Sequence, residues 1–495
     1  MRSGLSRGPL LQASLLALFA TAVRLLADLR DGVVVALGGD AAVYLQTAGR
    51  LARGEGLLSC EGAELISFPP LFPMVLAIPQ AFGLDPIAAT SVVGLFCHFL
   101  MVATCLHLIA DHVDYQPFLW FGAAAFGLFQ AFYSWLTGAH SEVLFAALSA
   151  QMVFHLVRYL DSGSIVRLTV VALLAAACFL TRYVGAFCLI FGGTIILLLP
   201  RSHWLQRVRH AALFSAVAML PVLAWLGRNW LVSETFFGAR EWVGAPFSGV
   251  AASYFGMLAG LFVYIPGLST SLRSSVFALL ISVAVLLVWR AGRQRFFSDA
   301  IARAIFVVAG FSGGYLLWLV ALRAWLIDVE MTVRLIIPVV PLIVVAALVS
   351  TDASLRAGPL RRLRPFVVLA AVLWLWLPAK NLVASVFDLH QPPPPRLIGS
   401  PEVANSELVR FLRQAEADRR LIPVDPPSAQ FLFLYLGRCF SLADQSNDDR
   451  GYRVHIPGGG TRLPEMRPQM EGPGLIFSDH VGAVYRADPP ALPRN

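Results

Sequence analysis

Eight ionisable residues are the candidates for chemistry in this chain: Asp40, Glu142, Arg182, Arg228, Glu241, Asp328, Glu330 and Arg334. Carboxylates accept protons or bind metals, and arginines grip phosphate oxygens through bidentate, charge-assisted hydrogen bonds. A site that sets one basic carboxylate among several arginines fits displacement of a phosphate leaving group. Asp40 is the strongest candidate base, because the flexible Gly38-Gly39 pair leads into it and an amphipathic segment follows. In that segment Val43, Thr47 and Leu51 share one helical stripe and Gln46, Arg50 and Arg53 another, which predicts a helix lying in a membrane surface. Structural alternatives stand beside the other residues. Arg182 marks a helix end, Asp328 and Glu330 pair with Arg334, or Glu142 caps its own helix as Ser141 would.

The elements that must position these residues are membrane helices. With 57% hydrophobic and 14% charged residues, and a mean hydropathy of +0.70, the chain reads as an all-α polytopic membrane protein. Its apolar runs predict about 11 transmembrane helices, near 9–29, 86–110, 117–137, 142–160, 165–181, 183–200, 211–231, 275–290, 302–322, 334–350 and 365–386. The short, proline-rich run FPPLFPMVLAIPQAFG is taken as a second juxtamembrane helix rather than a span, within a first extracytoplasmic loop covering 30–85. The run 254–268 is too short to span and reads as interfacial or re-entrant.

That assignment puts the arginine-rich segments 201–210, 290–297 and 355–364 on the same side as the N-terminus, in keeping with the positive-inside rule. The net charge of +8 is thereby explained by topology, and no nucleic-acid partner is expected. The candidate residues all fall at the opposite membrane edge or in the adjoining loops. Ionisable groups at that depth are costly unless they face a cavity, so their convergence marks a site.

Cys97, Cys105, Cys178 and Cys188 lie in apolar runs and read as small hydrophobes, whereas Cys60 and Cys439 lie in polar segments and are open to pairing. The N-terminus carries no small-residue cleavage site before Arg24 and is expected to remain as the first helix. Three domains follow: a transmembrane region over 1–388, a stiff proline-rich linker at 389–399 and a small soluble α/β domain at 400–495. In the last, a helix after Ser400-Pro401-Glu402, a strand at 421–425, a helix at 428–437 and a hairpin of 474–478 with 482–487 are predicted.

The run Asp40-Ala-Ala-Val-Tyr44, the surface helix ending ARGEG and the FPPLFP that follows resemble the first extracytoplasmic loop of GT-C membrane glycosyltransferases. The resemblance is to the group of protein O-mannosyltransferases and lipid A aminoarabinose transferases. It extends to SEVLF (141–145), FLTRYVG (179–185), GRNWLVSETFFGARE (227–241) and VRLIIPVVPL (333–342). It implies inverting transfer of a sugar from a polyprenyl-phosphate donor to an extracytoplasmic lipid, glycan or protein acceptor. It also implies a bacterial inner-membrane location, with the N-terminus cytoplasmic and the tail extracytoplasmic. In that likeness Asp40 is the general base, with Glu142 beside it in the catalytic set. Arg182 and Arg334 hold the lipid-linked phosphate, and Tyr44, Tyr183, Arg228, Glu241 and Asp328 complete the substrate-binding set.

Some relatives carry tandem acidic residues where Asp40 is followed by Ala41, and Ser67-Phe68 stands where aminoarabinose transferases have an acidic residue before the paired prolines. No cofactor is therefore assigned, and a divalent metal is left open, with Glu61, Glu64 and His140 as available donors. Two readings compete with the enzyme. A transporter or lipid flippase would show inverted repeats and mid-span charges, and neither is found in the sequence. A non-catalytic envelope-assembly subunit would keep the fold without needing the charge cluster.

Overall fold

The computed structural model describes residues 7–31, 39–58, 64–128, 139–199, 202–238, 245–263, 267–292, 300–325, 333–356, 359–373, 375, 407–418, 421–423, 452–455, 475–478 and 483–486. It is a helical, multi-pass membrane protein. Among the described residues, five helices are long and apolar enough to cross a bilayer: Pro86–His112, Ser141–Ser162, Trp204–Ser233, Ala300–Trp325 and Val333–Ser354. Shorter apolar helices include Ile165–Thr181, Tyr183–Leu198 and Phe247–Phe262.

Local chemistry sets several boundaries. Asp85 caps the Pro86–His112 helix by accepting from the amides of Ile87 at 2.9 Å and Ala88 at 3.0 Å, with Pro86 at the first helical position. Gly163 ends the Ser141–Ser162 helix in the left-handed conformation at φ 65°. Pro338 sits in a one-turn 3-10 segment, Ile337–Val339, which breaks the Val333–Ser354 stretch close to its start.

The Ser141–Ser162 helix is central. It packs against Pro86–His112 on one side and Ile165–Thr181 on the other, and Trp204–Ser233 packs on the latter. Large buried side chains such as Phe145, Tyr159, Phe311 and Tyr315 fill the space between helices. Polar pairs cross the same interfaces: Thr21 with His98 at 3.2 Å, Ser14 with His107 at 3.2 Å, and Gln151 donating to Thr104 at 2.5 Å.

Several sequence expectations need adjustment. The segment 201–210, expected as a loop, is largely the start of a helix running Trp204–Ser233, because nothing after His203 breaks the helical pattern. The interfacial segment expected at 254–268 is a helix over Phe247–Phe262, beginning earlier and ending at Val263. The expected helix after Asp40 spans Gly39–Ala52, and one face of it is covered by protein. Ala41, Tyr44, Leu45, Gln46, Thr47 and Ala48 are buried, because the second short helix, Leu71–Ala81, packs across it.

In the tail, a helix covers Glu407–Asp418 and strands β1 (Leu421–Pro423), β2 (Tyr452–His455), β3 (Leu475–Ser478) and β4 (Ala483–Arg486) form a sheet in the order β1-β2-β4-β3. The hairpin expected from 474–487 is the antiparallel β3/β4 pair, and β2, parallel to β1, was not anticipated. The helix expected at 428–437 and the Cys60 and Cys439 pair lie outside the described residues.

Candidate active site

Four chain segments bring the candidate residues together. Asp40 lies in the first turn of the Gly39–Ala52 helix, Glu142 in the first turn of Ser141–Ser162, Arg182 at the C-terminal cap of Ile165–Thr181, and Arg334 in the single turn Val333–Ile336. Both carboxylates therefore sit where helix dipoles favour negative charge.

Arg334 joins the two carboxylates. Its Nη2 lies 3.0 Å from Asp40 Oδ2 and its Nε 3.5 Å from Glu142 Oε1. Arg182 Nη1 reaches the same Glu142 oxygen at 2.6 Å. Glu142 is 1% exposed, so its carboxylate meets two guanidiniums out of contact with bulk water. A buried carboxylate persists as an anion only with such compensation. The Asp40 side chain is 29% exposed and is the carboxylate that an incoming molecule can reach.

Ser141 and Tyr44 extend the cluster. Arg182 Nη1 donates to Ser141 Oγ at 2.8 Å, and the Ser141 hydroxyl bonds the Tyr44 hydroxyl at 3.2 Å. Tyr44 is held edge-on by Phe68 and Phe72, with ring centroids 5.2 and 5.1 Å away. Burial pushes the Tyr44 phenol far above its ordinary range, against the opposing pull of Arg182, so it stays neutral. His140, the residue before this helix, is held below its ordinary value chiefly by burial, which outweighs the attraction of Glu142.

The turn after Arg182 depends on Gly185. A Cβ there would stand 2.4 Å from the carbonyl carbon and oxygen of Cys178 and 2.6 Å from the amide of Phe179. Only glycine lets the Tyr183–Gly185 turn fold this closely onto the preceding helix end.

Beside this cluster lies a second hydrogen-bonded hub that ties down the first loop. The Tyr183 hydroxyl donates to Ile66 O at 2.8 Å and accepts from Trp225 Nε1 at 3.1 Å and Asn229 Nδ2 at 3.2 Å. Asn229 also donates to Phe236 O at 3.0 Å. Arg228 donates to Leu65 O at 2.5 Å, pairs with Glu64 and stacks over Trp225 at 5.1 Å. Gly238, at φ 74°, rests against Ser67 so closely that a Cβ would come within 2.7 Å of its hydroxyl.

Asp40, Tyr44, Glu142, Arg182 and Arg334 thus meet in one cluster, and Tyr183 and Arg228 flank it in the hub. Glu241, Asp328 and Glu330 lie outside the described residues. Glu64, read as an available metal donor, is instead paired with Arg228. Among the described residues, no group of three or more His, Cys, Asp or Glu is placed to hold a metal ion. Sequence reasoning did not assign Ser141, Trp225 or Asn229 to the site. Asn229, fully buried in an apolar helix, carried the one usable signal, since an amide there requires partners.

The chain aligns with the crystal structure of ArnT from Cupriavidus metallidurans bound to undecaprenyl phosphate. The TM-score is 0.59 at 12% identity, over 95% of this chain and 97% of that one. The chain shares the fold of that protein. The same protein in the apo state matches it equally, with a TM-score of 0.59 at 12% identity over 95% and 97% of the two chains. At this identity the likeness is one of fold, and the roles of individual residues rest on the geometry above. No protein-family model and no curated protein matches the sequence.

Proposed function

We propose that this chain is a membrane glycosyltransferase that moves a sugar from a polyprenyl-phosphate donor to an extracytoplasmic acceptor with inversion at the anomeric carbon. The observation that carries the reading is the contact of the accessible Asp40 carboxylate with Arg334, beside a second, buried arginine–carboxylate pair, within a GT-C fold. The ArnT structure of similar fold contains undecaprenyl phosphate, which supports a polyprenyl phosphate as carrier.

In this reading Asp40 removes the proton of the acceptor hydroxyl as its oxygen bonds to the anomeric carbon. The bond from that carbon to the phosphate oxygen breaks on the opposite face, and the electron pair leaves with the lipid phosphate. Arg182 and Arg334 take up the developing charge by charge-assisted hydrogen bonds. Glu142 is assigned a narrower role than the catalytic one expected from sequence: at 1% exposure it holds both guanidiniums in place. At rest the two carboxylates and two arginines balance. A bound phosphate draws Arg334 toward itself and frees Asp40 to act as base. Tyr44, Tyr183 and Arg228, with Glu241 and Asp328, belong to the substrate-binding set.

The proposal places the N-terminus in the cytoplasm of a bacterial cell, the cluster and the domain at 400–495 outside it, and 1–388 in the inner membrane. Purified full-length protein, a defined polyprenyl-phosphate sugar and a panel of lipid, glycan and peptide acceptors provide the test. Transfer to none of them under conditions that preserve the fold would refute the reading.

A further inference from the structure

A polar cavity lies at the other end of the Ser141–Ser162 helix from the ion-pair cluster. Glu142 occupies the first turn of that helix and Asp161 the last, so the two sites are separated by roughly 30 Å, about one bilayer core. The cavity has a volume of about 250 Å³ and is lined by Tyr159, Asp161, Ser202, Gln206, His210 and Arg303. Tyr159 and His210 bond to each other at 2.7 Å, and Arg303 Nη2 meets Asp161 Oδ1 at 2.6 Å. The Arg303 side chain is 8% exposed and that of Asp161 33%, so the cation sits deep and the anion nearer the mouth. Exposed Asp161 and Gln206 border the opening.

The surroundings place this opening at a membrane surface. Trp204 and Leu205, in the first turn of the adjacent helix, are 65% and 60% exposed, as befits an aromatic belt residue and a lipid-facing neighbour. Arg167 and Arg207 bond helix-end carbonyls or hydroxyls in the same layer. The ligand is therefore met at headgroup depth, and it encounters a buried guanidinium beside a more accessible carboxylate.

We propose that this cavity binds the headgroup of a zwitterionic phospholipid with a primary ammonium group. The phosphate is held by Arg303 with His210 and Ser202, and the ammonium by Asp161 with Gln206. A carboxylate beside the arginine disfavours a purely anionic headgroup. The ammonium needs N–H donors to satisfy Asp161, which a quaternary ammonium lacks.

The test exposes purified full-length protein to an equimolar mixture of phosphatidylethanolamine, phosphatidylglycerol and phosphatidylcholine with identical acyl chains, and reads bound lipid by native mass spectrometry. The expected result is an enrichment of phosphatidylethanolamine of about tenfold, the value of one good charge-assisted hydrogen bond. Gln206→Trp, which fills the mouth without touching the Arg303–Asp161 pair, is expected to abolish the enrichment while leaving the thermal midpoint unchanged. Free phosphoethanolamine is expected to displace the lipid, and inorganic phosphate is not. Equal binding of the three lipids, enrichment that survives Gln206→Trp, or displacement by phosphate as effective as by phosphoethanolamine would each overturn the proposal.

Discussion

Arg334 contacts Asp40 at 3.0 Å and brings a carboxylate from the first loop to a helix almost three hundred residues later in the chain. The contact makes the two residues interdependent: the arginine orients the carboxylate at rest, and the carboxylate competes with any phosphate for the arginine. Replacement of Arg334 by Ala is accordingly expected to weaken binding of a polyprenyl-phosphate donor and to lower transfer together. Unchanged donor affinity in Arg334→Ala, measured by titration on purified protein, would remove the arginine from phosphate binding.

In the proposed mechanism Glu142 positions the two arginines, and its loss is expected to reach stability as well as activity. Glu142→Gln leaves two guanidiniums facing a neutral amide in a site where the native side chain is 1% exposed. Breaking a buried pair in this way costs about 3 to 5 kcal/mol. The expected outcome is a large fall in thermal midpoint together with loss of donor affinity. A variant as stable as the parent would contradict the clamp.

Gly185→Ala tests the turn that presents Arg182. The added methyl meets backbone atoms at 2.4 Å, which cannot move as a flexible side chain would. A cost of about 1 to 3 kcal/mol, typical of overpacking, is expected, with transfer falling further than stability. Activity retained in full would show that the position of Arg182 is not critical.

Tyr183→Phe removes a hydroxyl that serves three partners, Ile66 in the first loop and Trp225 and Asn229 on the Trp204–Ser233 helix. Leaving such buried groups unsatisfied costs about 1 to 3 kcal/mol. Hydrogen exchange of residues 64–68 and 225–236 is expected to quicken, while the Arg182–Glu142 pair persists. No change in exchange would show that the first loop is held elsewhere.

Acid should destabilise the protein through His140. Its folded value lies below the ordinary 6.5 because burial disfavours the cation, so the unfolded chain binds a proton the folded chain does not. Glu142 and Asp40 pull the value upward while Arg334 and Arg182 push it down, and burial remains the largest effect. The stability contributed by neutral His140 is present above about pH 6.5 and declines as pH falls below it. Thermal midpoints measured from pH 7.5 to 5 should fall less steeply in His140→Gln; identical slopes would refute the assignment.

The site was legible in the sequence as far as charge and topology reach. Asp40, Glu142, Arg182 and Arg334 stood out because ionisable groups at helix ends are costly, and the positive-inside rule put them on one face. Nothing in that reasoning says which arginine meets which carboxylate, because the pairs join segments 40 to 294 positions apart and depend on helix packing. Ser141 was read as a cap, yet its hydroxyl links Arg182 to Tyr44 instead. The stripes of the Gly39–Ala52 helix say nothing of the packing of Leu71–Ala81 across it, a contact that periodicity within one helix does not encode. On the opposite face, the buried Asp352, bonded to Arg356 at 3.0 Å and Arg364 at 3.2 Å, was absent from the reading, because a carboxylate at a helix end looks like any solvated charge.

The central claim is that Asp40 is the base. The most direct measurement is sugar transfer by Asp40→Asn, at saturating donor and acceptor, beside donor binding and thermal midpoint for the same preparation. The account predicts that transfer falls by at least about a hundredfold, the lower range for a general base, while donor still binds and the fold persists. Transfer at the parental rate would contradict it.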